Sequence, residues 1–178
     1  MIDARPIPIA LIGYGYWGPN LARNLQESAL FELVGICDQS EDQRKLIKRR
    51  FPSIQVFEQL NDILNDENIL AVVIATPPST HFSLAMQGLN AGKHVLVEKP
   101  LALAKASDLL ELQNNSNSSN IFIYTAYNHR FEPNVSSIRN ILNQQEIGRV
   151  FSVRMCYGNG TSQLVKSSDW RDKGLGVI

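Results

Sequence analysis

Apolar residues in this chain fall in short runs separated by amphipathic stretches, which predicts strands and helices in alternation. Positions 7–12 form a compact isoleucine-rich run that ends in glycines, as a first strand would. Gly18-Pro19 opens a helix, because proline in the first turn gives up an N–H that has no partner there. Leu21 and Leu25 share one face of it. Positions 31–37 read as a second strand. Ser40 and Gln43 have capping-box spacing, so a helix starts there and runs through Leu46 and Ile47 toward Phe51-Pro52. Positions 54–57 form a short third strand and 59–65 a short helix. The run 69–75, ILAVVIA, is apolar on both faces, the pattern of a central strand in a sheet covered on both sides. Pro77-Pro78 breaks the chain, Ser79 or Thr80 caps the next helix, and Gly92 ends it. Positions 94–97 form another buried strand and 102–112 a helix. QNNSNSSN at 113–120 has no periodicity and nothing to bury, so it reads as an exposed loop. A strand follows at 121–125, then a helix after Pro133 carrying Ile138, Ile141 and Leu142. The alternation at 149–157 reads as a half-exposed strand. Strands alternating with helices imply an α/β fold with a doubly wound parallel sheet, which binds ligands beyond the carboxyl ends of its strands.

Composition narrows the function. In 178 residues, 17 Lys plus Arg balance 17 Asp plus Glu, so no basic footprint for nucleic acid is present. No apolar run approaches the roughly 20 residues that cross a bilayer, so no membrane partner is expected. The opening Met1-Ile2-Asp3-Ala4-Arg5-Pro6 lacks the basic and apolar regions of a secretory signal. Cys37 and Cys156 lie far apart and outside any CxxC or His-rich context. They read as reduced, half-buried thiols in a cytoplasmic protein, with no metal site.

Three segments carry candidate chemistry. GYGYWG at 13–18 is a G-x-G-x-x-G between a predicted strand and a helix, and Asp38 lies 20 residues beyond Gly18 at the end of strand two. In that context Gly13 permits the tight turn, Gly15 lets backbone approach a pyrophosphate, and Gly18 lets the helix pack on the strand. The helix N-terminus then meets the phosphates with free N–H groups. The plainer alternative is a set of turn glycines in a fold that has lost its ligand. Tyr14, Tyr16 and Trp17 would pack at the cofactor mouth. Asp38 would accept from the adenosine ribose hydroxyls and repel a 2′-phosphate, favouring NAD, with NADP the alternative. Against this, Asp38 could serve only to cap the helix at Ser40, and Arg44 or Lys45 could reach a phosphate. The basic run from Arg44 to Arg50 otherwise reads as a solvated face.

The second segment, ATPPSTH at 75–81, follows the central strand. On residue chemistry alone it is a strand-to-helix turn with His81 in the first helical turn. In the third, Glu98-Lys99-Pro100, a buried strand ends at a lysine. In a partly desolvated pocket beside a nicotinamide, such a lysine can exchange a proton with a substrate hydroxyl or carbonyl. The alternative is a surface lysine beside a turn proline. His94 reads as a core or surface residue and Asp172 as solvated.

Together GYGYWG, Asp38, ATPPSTH, EKP at 98–100, Asn128-His129-Arg130-Phe131 and Trp170-Arg171 resemble the Gfo/Idh/MocA family of NAD(P)-dependent oxidoreductases, over nearly the whole chain. The ATPP-x-x-H and EKP pair is the more specific part. The resemblance implies a Rossmann domain over 1–125 and the start of a second, incomplete α+β domain over 126–178. It implies that Lys99 acts in acid/base or electrostatic fashion near the reacting carbon. The Thr76-Pro77-Pro78 and Glu98-Lys99-Pro100 loops would border the cofactor with His81 close by. Asn128 and Arg130 would pass near the nicotinamide, and Trp170 and Arg171 would sit at the cleft. In the family a glycine-rich stretch then leads to a helix bearing an Asp and a His, and to a large sheet that walls the substrate site and forms the dimer surface. Here the chain ends at Gly174-Leu175-Gly176-Val177-Ile178, so a truncated member is expected, homo-oligomeric in its full-length form.

The implied function is hydride transfer between nicotinamide and a hydroxyl or carbonyl carbon of a sugar, sugar derivative or cyclitol. The alternative is a non-catalytic dinucleotide-binding regulator or sensor derived from the family; retention of Lys99 favours the enzyme. A different dehydrogenase family on the same fold is disfavoured by the joint presence of ATPP-x-x-H and EKP.

Overall fold

Each strand in this chain is followed by a helix that carries the backbone back to the starting edge, so all neighbouring strands pair in parallel. The structure is a computed structural model and describes residues 5–101 and 106–156. The strands are β1 (Ile7–Ile12), β2 (Phe31–Cys37), β3 (Gln55–Phe57), β4 (Ala71–Ile74), β5 (His94–Val97) and β6 (Ile123–Thr125). The helices are α1 (Gly18–Glu27), α2 (Glu41–Arg50), α3 (Leu60–Leu64), α4 (Pro78–Asn90), α5 (Ala106–Ser119) and α6 (Pro133–Asn143). The sheet order β3-β2-β1-β4-β5-β6 is that of a Rossmann fold, with its topological switch point between β1 and β4. The strand–helix alternation read from the sequence is present.

Alternate residues of β1 and β4 serve two cores. Ile9, Leu11, Ala71 and Val73 pack with Leu25 of α1, Ile47 of α2 and Phe51. Ala10, Ile12, Val72 and Ile74 pack with Ile63 of α3, Ala85 and Leu89 of α4 and Leu112 of α5. Burial on both sides is why these strands read as unbroken apolar runs. His94 accepts from the Phe122 amide at 3.1 Å and stacks on the Phe122 ring, a structural role.

Several expectations need correction. Residues 113–119 continue α5 instead of looping. One tertiary contact and two local ones at its end hold this polar stretch helical: the Asn115 amide reaches the Met86 sulfur at 3.7 Å, the Ser116 hydroxyl bonds the Ile121 carbonyl, and the Ile121 amide donates to the Ser116 carbonyl at 3.2 Å. Residues 149–156 are exposed and form no strand. Alternation makes a strand only when a neighbour supplies a ladder, and none is present among the described residues. Helix α4 starts at Pro78 without a side-chain cap; the Thr80 hydroxyl donates to the Pro77 carbonyl at 2.7 Å instead. Of the two free thiols, Cys37 is buried and Cys156 exposed.

The chain divides into two units, residues 1–129 and 130–178. The first holds the whole sheet. In the second the described residues form α6, whose Ile138 and Leu142 are exposed, and no strand. Among the described residues no helix is long and apolar enough to cross a membrane.

Candidate cofactor site

Parallel register brings the candidate loops to one edge. The Gly13 amide donates to Cys37 O at 2.8 Å, Asp38 N to Phe57 O at 3.2 Å, Ala75 N to Ile12 O at 2.8 Å, Glu98 N to Ile74 O at 2.9 Å and Ala126 N to Val97 O at 2.9 Å. Each strand therefore hands its neighbour's last carbonyl a partner just as the neighbour leaves the sheet. The glycine turn, Asp38, the Thr76 loop, the Glu98-Lys99 loop and the approach to Asn128 all emerge beyond the carboxyl ends.

The three glycines differ. Gly13 has φ +95°, and a Cβ there would lie 2.8 Å from the Ala75 carbonyl oxygen; at Gly18 it would lie 2.5 Å from Gly13 O. The fold itself demands both. A Cβ on Gly15 would meet no atom within 4 Å, and the Gly15 amide has no acceptor among the described residues. Nothing among the described residues requires glycine at 15, whereas a pyrophosphate lying against the backbone would. Helix α1 begins at this turn with Trp17 in the cap position and no side-chain cap, leaving its first N–H groups for an anion. The residues present thus fit a dinucleotide.

Asp38 does two things at once. Its Oδ2 accepts from the Tyr14 amide at 2.7 Å and its Oδ1 from the Ser40 amide at 2.8 Å, while Ser40 itself caps α2 by accepting from Gln43 N at 3.4 Å. The carboxylate ties the glycine turn to the β2–α2 turn, and each oxygen keeps a lone pair for a ribose hydroxyl. Beside it, the Cys37 thiol is pushed up to about 11, chiefly by burial, then by the Asp38 and Asp62 carboxylates, with Arg44 opposing. Tyr14 does not line the mouth: it is buried, edge-on to Phe51 at 6.2 Å, because its side chain points into the α1–α2 core. Tyr16 and Trp17 are exposed, at 75% and 47%.

His81 is buried at 1% exposure, one helical turn into α4. Its Nδ1 lies 2.7 Å from the Pro100 carbonyl and its Nε2 2.8 Å from the Thr76 carbonyl, so one ring ties the two candidate loops together. Both partners are acceptors; a neutral ring donates to one of them and an imidazolium to both. Pro77 is exposed, and Thr76 Oγ1 lies 2.7 Å from Thr80 Oγ1. Lys99 is exposed, with its amide donating to Glu98 Oε2 at 3.2 Å. The partly desolvated pocket expected around it is not formed by the described residues, since the loop projects past the sheet edge. Asn128 closes the first unit beside His129, whose amide donates to Asn128 Oδ1 at 3.0 Å. Arg130 begins the second unit, its carbonyl accepting from Arg139 at 2.9 Å. Trp170, Arg171 and Asp172 lie outside the described residues. The sequence alone did not single out Glu58, whose carboxylate sits 3.1 Å from Arg44, because that pairing depends on β2 and β3 being neighbours.

The family pattern described as "Oxidoreductase family, NAD-binding Rossmann fold" matches residues 7–127. The chain belongs to the Gfo/Idh/MocA family. It is 32% identical over 133 residues to an uncharacterized oxidoreductase of Schizosaccharomyces pombe, covering 72% of this chain and 35% of that protein. It is 25% identical over 172 residues to scyllo-inositol 2-dehydrogenase (NADP(+)) of Bacillus subtilis, covering 94% of this chain and 45% of the relative. Among solved structures, myo-inositol 2-dehydrogenase from Lactobacillus plantarum superposes with a TM-score of 0.70 at 26% identity, over 82% of this chain and 43% of that one. This Gfo/Idh/MocA chain therefore spans less than half the length of these relatives. Its family domain is a dinucleotide-binding one, and the relatives include an enzyme named for NADP.

Proposed function

We propose that this chain is the cofactor-binding part of an oxidoreductase that moves hydride between nicotinamide and a CH–OH or carbonyl carbon of a sugar, sugar derivative or cyclitol. The observation that carries the proposal is Gly15, a glycine the fold leaves unexplained, at a turn whose Asp38 partner is already oriented by two backbone amides. A bound NAD would supply the hydride chemistry. The chain's own residues supply the rest. Gly15 and the uncapped α1 terminus hold the diphosphate, and Asp38 holds the ribose with a preference for NAD. Tyr16 and Trp17 flank the mouth, Thr76, Pro77 and Glu98 border the ring end, and His81 fixes the spacing of those two loops. Lys99 holds or gives one proton at the substrate oxygen. Asn128, just past the carboxyl end of β6, lies at the ring end of the site.

Inositol dehydrogenases among the relatives support a polyol or cyclitol substrate. The reading extends to a small-molecule partner, a homo-oligomeric full-length form and a cytoplasmic setting, which the free cysteines support. It is tested by titrating the chain with NAD and NADP calorimetrically, then following nicotinamide absorbance with a panel of sugars and cyclitols, with the Lys99→Ala variant as control. NAD binding, with any turnover abolished in Lys99→Ala, is the expected result. A chain that binds no dinucleotide, or turnover that survives Lys99→Ala, would sink it.

A further inference from the structure

Beyond Asp38, the adenosine end of the site holds a guanidinium that is already occupied. Arg44, in the first turns of α2, donates through Nη1 to the Asp38 carbonyl at 3.0 Å and to the Gln39 carbonyl at 2.7 Å. Its Nη2 lies 3.1 Å from Glu58 Oε2, just past the end of β3. The Arg44 side chain is only 17% exposed, while that of Glu58 is 58% exposed. Lys45, the other cation of this turn, lies 2.8 Å from Glu41 on the outer face of α2. An arginine near the β2 acid is what accommodates a 2′-phosphate in this fold. Here such an arginine is present, but its charge is matched by Glu58 and its Nη1 hydrogens point to backbone.

We propose that Glu58 is a specificity-determining residue: by holding Arg44 in an ion pair, it keeps that guanidinium from a 2′-phosphate and so reinforces the choice of NAD over NADP. This rests on the reading of Asp38 as the ribose-binding acid. Asp38 discriminates through its own charge. Glu58 discriminates by occupying a cation that could otherwise reward the phosphate. Removing Glu58 subtracts a negative charge and frees Nη2 together, and both changes favour NADP.

The experiment measures dissociation constants for NAD and NADP by calorimetry on the whole chain, for the wild type, Glu58→Ala, Arg44→Gln and the double variant, with circular dichroism confirming the fold. Because Glu58 is exposed, its truncation leaves the cores intact. Glu58→Ala is expected to tighten NADP about fivefold and to leave NAD within about twofold, the scale of a half-exposed ion pair. In the Arg44→Gln background the same truncation is expected to change NADP by less than about twofold, since the cation is gone. The proposal is overturned if Glu58→Ala leaves the NAD-to-NADP ratio unchanged while the wild type binds NAD. It is equally overturned if the fivefold gain persists without Arg44. A wild type that binds neither dinucleotide, or prefers NADP, instead overturns the reading of Asp38 on which the proposal stands.

Discussion

At the scale of single residues, the same amino acid answers to different demands. Gly13 and Gly18 are required by backbone that comes too close for a Cβ, whereas a Cβ on Gly15 would meet no described atom. Alanine should separate them. Gly18→Ala is expected to lower stability by about 2 kcal/mol or more in urea unfolding, through a backbone clash that cannot relax. Gly15→Ala is expected to unfold like the wild type yet lose NAD affinity in the same titration. Cys37 makes a second residue-scale test. A raised thiol means that the folded state holds its proton more tightly than the unfolded chain, whose thiol titrates near 9.0. Its contribution to stability is complete below pH 9 and drains away as pH rises from 9 toward 11. Urea unfolding at about pH 7 and about pH 10 should show a larger loss for the wild type than for Cys37→Ala. The three glycines and Asp38 were legible as a motif because their spacing along the strand–turn–helix–strand unit is a known signature. The two hydrogen bonds of His81 were not, since Pro100 lies 19 residues away and meets it only when β4 and β5 pair.

At the scale of elements, local pattern succeeded where an element stabilises itself and failed where neighbours decide. Helix α2 was legible at both ends: Ser40 caps it, Glu41 and Asp42 sit in its first turn, and Lys48, Arg49 and Arg50 in its last. Helix α5 was not, because its polar half is held from outside by Met86 and Ile121. The consequence is measurable. Leu112, 2% exposed in the core beneath α4 and α5, should cost about 2–5 kcal/mol on truncation to alanine. Asn114→Ala, on the exposed side of the same helix, should stay within about 0.5 kcal/mol of the wild type or gain slightly from helix propensity. The described part of the alternating stretch, residues 149–156, shows the opposite failure, a strand pattern with no described partner strand to pair it.

For the molecule as a whole, the parallel register gathers five loops at one edge of one sheet, so ligand binding and folding of residues 1–129 should be coupled. NAD at a hundred times its dissociation constant is expected to stabilise this unit by about 2.7 kcal/mol. Thermal melts followed by circular dichroism across a range of NAD concentrations check this; a midpoint independent of NAD would contradict it. A net charge of +0 gives little long-range field to steer an anionic cofactor, so in the proposed function capture would fall to the local amides of the glycine turn and α1.

Hydropathy periodicity and residue spacing were enough for the alternation of strands and helices along the chain, the glycine turn with its acid, and the family. These follow from periodicity and short spacings that any conformation of the chain carries. It took the folded packing to put Tyr14 in the core, join two loops through His81, leave Lys99 exposed and pair Glu58 with Arg44. Each of those depends on which strands lie side by side, and the order β3-β2-β1-β4-β5-β6 brings together residues that no local pattern connects.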